Sequence, residues 1–289
     1  MIFSDFHCHL YSYDSGAVMD KICKNIITPD QETDISVGMI LNNIRENNLW
    51  EKGAEFCLSK NRGDFIIIPF IGIHPWDSAE AGEKTITSLE EISSKTGVFL
   101  GEFGFDKLKG ADADKQLYIF RNCLEIALKS EKPFTIHCVR SWGFLTEELD
   151  KIKKRIKAPF IIHAFNGSAD IAKKIISLGG YPSFGLERYN AFSRKAEGSI
   201  LKINLKRLLL ETDFTCYSGQ LKPEDAAESE NSINAEYTRN DNFYGNKYIK
   251  RLIDVYNKAA LLLKIDIQEL SGVIEENGKI FKAYTINRK

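Results

Sequence analysis

The chain has 289 residues, 43% of them hydrophobic and 27% charged, and 39 Lys and Arg against 40 Asp and Glu leave a net charge of −1. That composition supports a large core and excludes a disordered chain, and the balanced charge lacks the basic excess of a surface built for duplex nucleic acid. Six cysteines without regular spacing or a CxxC pair suggest neither a zinc knuckle nor a disulfide framework. With no basic-then-apolar start and no apolar run near ~20 residues, the expectation is a reduced, cytoplasmic protein without a membrane span.

Eight short apolar runs mark strands at 2–6, 35–41, 65–71, 98–100, 134–136, 160–162, 180–184 and 207–210. Several are nearly continuous in Ile, Val, Leu and Phe, as suits strands of a parallel sheet buried on both faces. The segment 11–33 between the first two is weakly patterned, and the second strand is the least secure. Between strands lie amphipathic helices at 112–130, 145–156 and 169–178. In the first of these Leu117, Phe120, Leu124 and Leu128 follow helical spacing behind a cap at Asp112 or Asp114. Residues 219–245 are polar and acidic and read as a long loop, followed by closing helices at 248–263 and 267–274. Strands alternating with helices over this length predict one α/β domain, 1–289, in the form of a (β/α)8 TIM barrel.

All five histidines fall at or just after a strand end: His7, His9, His74, His137 and His163. Glu102 follows the run 98–100, and Asp213 follows 207–210. In a barrel such residues meet at the mouth, where imidazoles and carboxylates hold metal ions. Alternation along a strand sends His7 and His9 to one side and Cys8 to the other, a ready chelate. A carboxylate such as Glu102, set directly after an apolar strand, is costly inside unless paired or metal-bound. Taken singly, His137 and His163 read as satisfied core histidines, Glu102 as a loop acid and Asp213 as a helix cap. Set at strand ends in this way, His7, His9, Glu102, His137, His163 and Asp213 read together as a metal site.

The runs His7-Cys8-His9, Gly72-Ile73-His74-Pro75, Gly101-Glu102-Phe103-Gly104-Phe105-Asp106, Ile136-His137-Cys138-Val139-Arg140, His163-Ala164-Phe165-Asn166-Gly167 and Leu210-Glu211-Thr212-Asp213 occur in this order, with Glu276-Asn277 and Phe281 beyond them. In these residues the chain resembles the TatD-like hydrolases, metal-dependent barrels related to the amidohydrolases. The resemblance implies two divalent ions, with His7, His9 and Asp213 on one, His137 and His163 on the other, and Glu102 bridging them. Zinc, manganese, iron and, less readily, magnesium suit such ligands. It implies hydrolysis of DNA from a 3′ end by a water that the ions acidify, with Asp213 taking or orienting its proton. Arg140 would clamp a phosphate, Phe165 and Trp76 would stack on bases, and His74 would stand behind a metal or face the substrate. Cys8 and Cys138 are expected to be dispensable.

Departures from the family pattern fall on the substrate rim. The run after Asp213 is Phe214-Thr215-Cys216-Tyr217, without the usual proline, and Glu224–Glu230 makes the neighbouring segment acidic. An acidic rim repels a long polyanion. A small-molecule ester, amide or lactone hydrolase on the same scaffold is therefore the alternative, and a metal-binding barrel without turnover is a third reading.

Overall fold

The computed structural model describes residues 1–10, 36–63, 65–187, 190–215 and 236–286. Its strands are β1 (Ile2–His9), β2 (Ser36–Ile44), β3 (Ile66–Ile71), β4 (Phe99–Asp106), β5 (Phe134–Val139), β6 (Phe160–Ile162), β7 (Gly180–Phe184), β8 (Leu209–Leu210) and β9 (Phe214–Thr215). Its helices are α1 (Trp50–Ser59), α2 (Glu83–Ser93), α3 (Ala113–Ser130), α4 (Trp142–Ile152), α5 (Ala169–Ser177), α6 (Arg194–Ile200), α7 (Glu236–Leu263) and α8 (Ile267–Ile286). The strands form one sheet in the order β8-β7-β6-β5-β4-β3-β2-β1-β9, every pair parallel. The expected α/β barrel is what the chain forms.

Of the two caps expected for the first long helix, Asp112 is the one used, and a serine opens another helix. Asp112 accepts a hydrogen bond from the Lys115 N–H at 2.9 Å and opens α3, and Ser168 accepts from Ile171 N–H at 3.4 Å and opens α5. Several strands run further than expected, and helix α4 spans Trp142–Ile152 where 145–156 is expected; three further boundaries also differ. The run at 207–210 becomes a strand only from Leu209, because Leu205–Arg207 forms a tight 3-10 turn. Helix α8 continues past residue 274 to Ile286, since Asn277 and Phe281 are still buried: the Asn277 amide donates to the Leu205 and Leu208 carbonyls, and Phe281 meets the Phe6 ring. Helix α7 starts at Glu236, so 236–245 of the expected loop is helical. The segments 11–33 and 216–235 lie outside the described residues.

Closure of the barrel depends on one short stretch that changes partners. Leu209 and Leu210 pair with Ser183 and Phe184 of β7, whereas Phe214 and Thr215 pair with Cys8 and His9 of β1. Between them the Asp213 N–H donates to the His7 carbonyl at 2.9 Å. The buried Asp5 carboxylate fastens this seam. Its Oδ1 accepts from the Thr212 and His7 N–H groups at 3.0 and 3.2 Å, and its Oδ2 accepts from the Thr212 and Tyr248 hydroxyls at 2.6 and 3.0 Å. Burial pushes the Asp5 carboxyl up to about 7, against the Thr212 and His7 hydrogen bonds that lower it. Those four donors tie β1, the seam and α7 to one acceptor.

Replacing Asp5 by Ala leaves two backbone N–H groups and two hydroxyls facing the seam without that acceptor. A loss of about 3 kcal/mol in urea unfolding is expected, and a loss below about 1 kcal/mol would mean that the strand ladder holds the seam alone.

Candidate metal centre

Parallel strands deliver their carboxyl ends to one mouth of the barrel. His7 and His9 come from β1, Glu102 from β4 and His137 from β5, while His163 directly follows β6 and Asp213 lies in the seam. Cys8 points away, its thiol donating to the Leu41 carbonyl, and Cys138 is buried too. Glu102 lies in a stretch of β4 that presses against β5. A Cβ on Gly104 would stand 1.9 Å from the His137 carbonyl oxygen, and one on Gly101 would stand 2.2 Å from Thr135 Cγ2. Only glycine permits that approach, at φ values of 153° and 139°.

The five histidines converge on this one carboxylate, which is 4% exposed. Glu102 Oε2 lies 2.5 Å from His163 Nε2, 3.4 Å from His137 Nδ1 and 3.7 Å from His7 Nε2. Its Oε1 lies 3.5 Å from His74 Nε2 and 3.7 Å from His9 Nε2. Four of the rings form two pairs: His7 Nε2 and His9 Nε2 are 3.2 Å apart, and His137 Nδ1 and His163 Nε2 are 2.8 Å apart. Asp213 Oδ1 faces the first pair at 3.7 Å from each nitrogen. Asp213 holds this place with a left-handed φ of 47°, a strained conformation for a residue with a side chain.

The outer ring nitrogens have their own neighbours. His9 Nδ1 is 2.9 Å from the Asn43 carbonyl oxygen, and His7 Nδ1 is 3.0 Å from the Asn43 side-chain amide. Asp106 Oδ2 stands 3.6 Å behind His137 Nε2, and Glu211 Oε1 stands 3.7 Å behind His163 Nδ1. His74 differs from the rest. Its Nδ1 accepts from the Trp76 N–H at 3.1 Å, so the neutral ring carries its proton on Nε2 and presents a donor, not a lone pair, to the cavity. Burial pushes its pKa down to about 2, so the ring is neutral.

Charge is unevenly shared among the rings. Burial, reinforced by neighbouring His163, holds the His7 pKa well below the usual range. Burial also opposes charge on His163, but Glu102 and Glu211 outweigh it and hold that imidazole well above the usual range. Burial opposes charge on Glu102, but the imidazoles around it, His163 foremost, hold its carboxyl well below the usual carboxylate range. Among the described residues, Glu102 Oε2, His137 Nε2 and His163 Nδ1 are buried without a hydrogen bond. A mixed set of nitrogen and carboxylate donors, crowded together and short of partners, suits a divalent cation. Among the described residues, three groupings bring ligand atoms within 4.8 Å of one another: His7, His9 and Asp213; His74, Glu102 and His137; and His7, His163 and Glu211.

His9, His74, Glu102, His137, His163 and Asp213 border a cavity of about 300 Å³ that also reaches Asn43, Arg45 and Trp76. Trp76 is 39% exposed at its edge, with its indole N–H on Asp106 Oδ2 at 2.5 Å. Arg45 and Lys109 lie 4.8 and 4.0 Å from its ring, and Arg45 is also paired with Asp77 at 2.6 Å. Arg140 and Phe165 are not brought to this cavity. Arg140 follows the end of β5 with a left-handed φ of 54° and is exposed, while Phe165 is buried against Trp142 and Phe184. Asn43, Arg45, Asp106 and Glu211 are site residues that strand-end reasoning did not single out. Asp106 and Glu211 stood inside the quoted motifs, two or four residues from a ligand, and proximity was the available signal.

The chain is 32% identical over 155 residues to an uncharacterized metal-dependent hydrolase, YabD, of Bacillus subtilis, matching 52% of this chain and 59% of that protein. It is 29% identical over 234 residues to deoxyribonuclease Tat-D of Schizosaccharomyces pombe, matching 72% of each. The fold superimposes on a TatD-family hydrolase of Entamoeba histolytica with a TM-score of 0.69 at 19% identity, over 96% of this chain and 97% of the other. The family model for TatD related DNase matches residues 4–281. With that match running from β1 into α8, the chain belongs to the TatD-related DNase family and is a metal-dependent hydrolase.

Proposed function

We propose that the chain, as one cytoplasmic domain, is a two-metal phosphodiesterase that shortens DNA from its 3′ end. The observation that carries this reading is the gathering of two close imidazole pairs, 3.2 and 2.8 Å between ring nitrogens, around one buried carboxylate. His7 and His9, with Asp213, would hold one divalent ion, and His137 and His163 would hold the other. Glu102 turns Oε1 toward His9 and Oε2 toward His7, His137 and His163, so one carboxylate faces both pairs and would be the group shared between the ions. Bound there, the ions would acidify a water and neutralise charge on the phosphoryl oxygens.

The chain's own residues supply positioning and proton handling. His74, neutral and protonated on Nε2, donates a hydrogen bond to a substrate oxygen entering the cavity. Asp213, 47% exposed at the mouth, is placed to accept a proton. Trp76 and Arg45 form the rim that an incoming nucleotide meets. Asp106 and Glu211 hold His137 and His163 from behind, fixing which ring nitrogen faces inward. A small ester, amide or lactone is the second reading. It is favoured by the modest cavity and by the pairing of Arg45 with Asp77, which offsets the rim's positive charge.

The deciding assay follows a 5′-labelled single-stranded DNA incubated with Mn²⁺ or Mg²⁺. Stepwise shortening that EDTA abolishes is expected; intact DNA with a metal-loaded protein would move the assignment to carboxylic esters and amides. Glu102→Ala should lose turnover and metal loading together, and activity retained in that variant would contradict the bridging role. Asp106→Asn and Glu211→Gln should each weaken metal binding by about 10–100-fold while the protein stays folded; unchanged affinity would remove the role given to these acids. The proton that Glu102 and Glu211 keep on His163 competes with metal, so apparent affinity should rise with pH across the neutral range. Calorimetry in buffers of different ionisation enthalpy should then report proton release on binding, and none would contradict this.

A further inference from the structure

Asn43 reaches both imidazoles of the His7-Cys8-His9 chelate from behind. It is the penultimate residue of β2 and is 2% exposed. Its backbone oxygen is 2.9 Å from His9 Nδ1, and its side-chain amide is 3.0 Å from His7 Nδ1. A carbonyl oxygen only accepts, so His9 carries its proton on Nδ1 and turns a bare Nε2 toward Glu102 and Asp213. For His7 the answer depends on which end of the amide faces the ring. With nitrogen toward the ring, Asn43 Oδ1 is buried with no hydrogen-bond partner among the described residues, so a half-turn of the amide gives up no acceptor bond. Nitrogen toward the ring requires a bare Nδ1 and puts the proton on Nε2, which blocks ligation. Oxygen toward the ring requires Nδ1–H and frees Nε2.

We propose that Asn43 is the positioning residue for both histidines: its carbonyl accepts from His9 Nδ1–H and its side-chain oxygen from His7 Nδ1–H. One buried residue thereby sets two tautomers and turns two Nε2 lone pairs onto the same ion. Ligating histidines are commonly oriented by an acceptor on their other nitrogen; here a single amide residue on the neighbouring strand serves two of them. The inference rests on the reading of His7 and His9 as metal ligands.

The test titrates zinc into the full-length, metal-free protein as wild type, Asn43→Asp, Asn43→Leu and His7→Ala. Long-range ¹H–¹⁵N spectra of the imidazoles of zinc-loaded wild type are recorded alongside. Asn43→Asp keeps an acceptor and should bind zinc at or above wild-type affinity, whereas Asn43→Leu should lose about 10–100-fold at one site. The spectra should show Nδ1–H with Nε2 on zinc for both His7 and His9. Equal weakening by Asp and Leu, wild-type affinity in Asn43→Leu, or His7 bound through Nδ1 would overturn the role of Asn43. If the leucine variant does not fold, the wild-type spectrum and Asn43→Asp decide between these outcomes. Absent zinc binding by wild type, or full loading of His7→Ala, would instead remove the ligand reading itself and Asn43's role with it.

Discussion

A carboxylate buried in the mouth of a barrel is costly unless something cationic meets it, and the rest of the site is organised around that cost. Glu102 meets no less than the chain's whole complement of histidines, each within 3.7 Å of one of its oxygens. Imidazoles can share protons with such an acid or hand their lone pairs to an ion beside it. His163, held protonated by Glu102 and Glu211, does the first. The pairing of ring nitrogens at 3.2 and 2.8 Å is what prepares the second.

This crowding holds only if the strands cannot drift apart. On one side, Gly101 and Gly104 let β4 lie so close to β5 that Glu102 and His137 are fixed neighbours. On the other, the seam from Leu209 to Thr215 must leave β7 and join β1, carrying Asp213 to His7 and His9. Asp5 secures that change of partner from directly beneath the ligands, and Tyr248 ties it to α7. Fold stability and ligand geometry therefore share the same few bonds.

Much of the framework was readable because parallel strands are apolar along their length and polar where they end. That contrast located β6 and β7 to the residue and placed all six expected ligands at one mouth. What supports the ligands left no such mark. Asn43, Asp106 and Glu211 are single polar residues beside apolar runs, and nothing in their spacing distinguishes an amide that orients an imidazole from one that caps a turn. Helix α7 reads short from sequence because residues 236–245 are mostly polar and include no aliphatic side chain to mark a helical face. Arg140 and Phe165 do not line the cavity beside Glu102: Arg140 leaves β5 in a left-handed turn, and Phe165 packs in an aromatic cluster. Local backbone conformation, invisible in the residue types, decided both.

Anomalous scattering from crystals soaked in Mn²⁺ tests the two-ion assignment most directly. It requires two peaks on either side of Glu102, one among His7, His9 and Asp213 and the other between His137 and His163. A single peak, or ions bound away from Glu102, would contradict it.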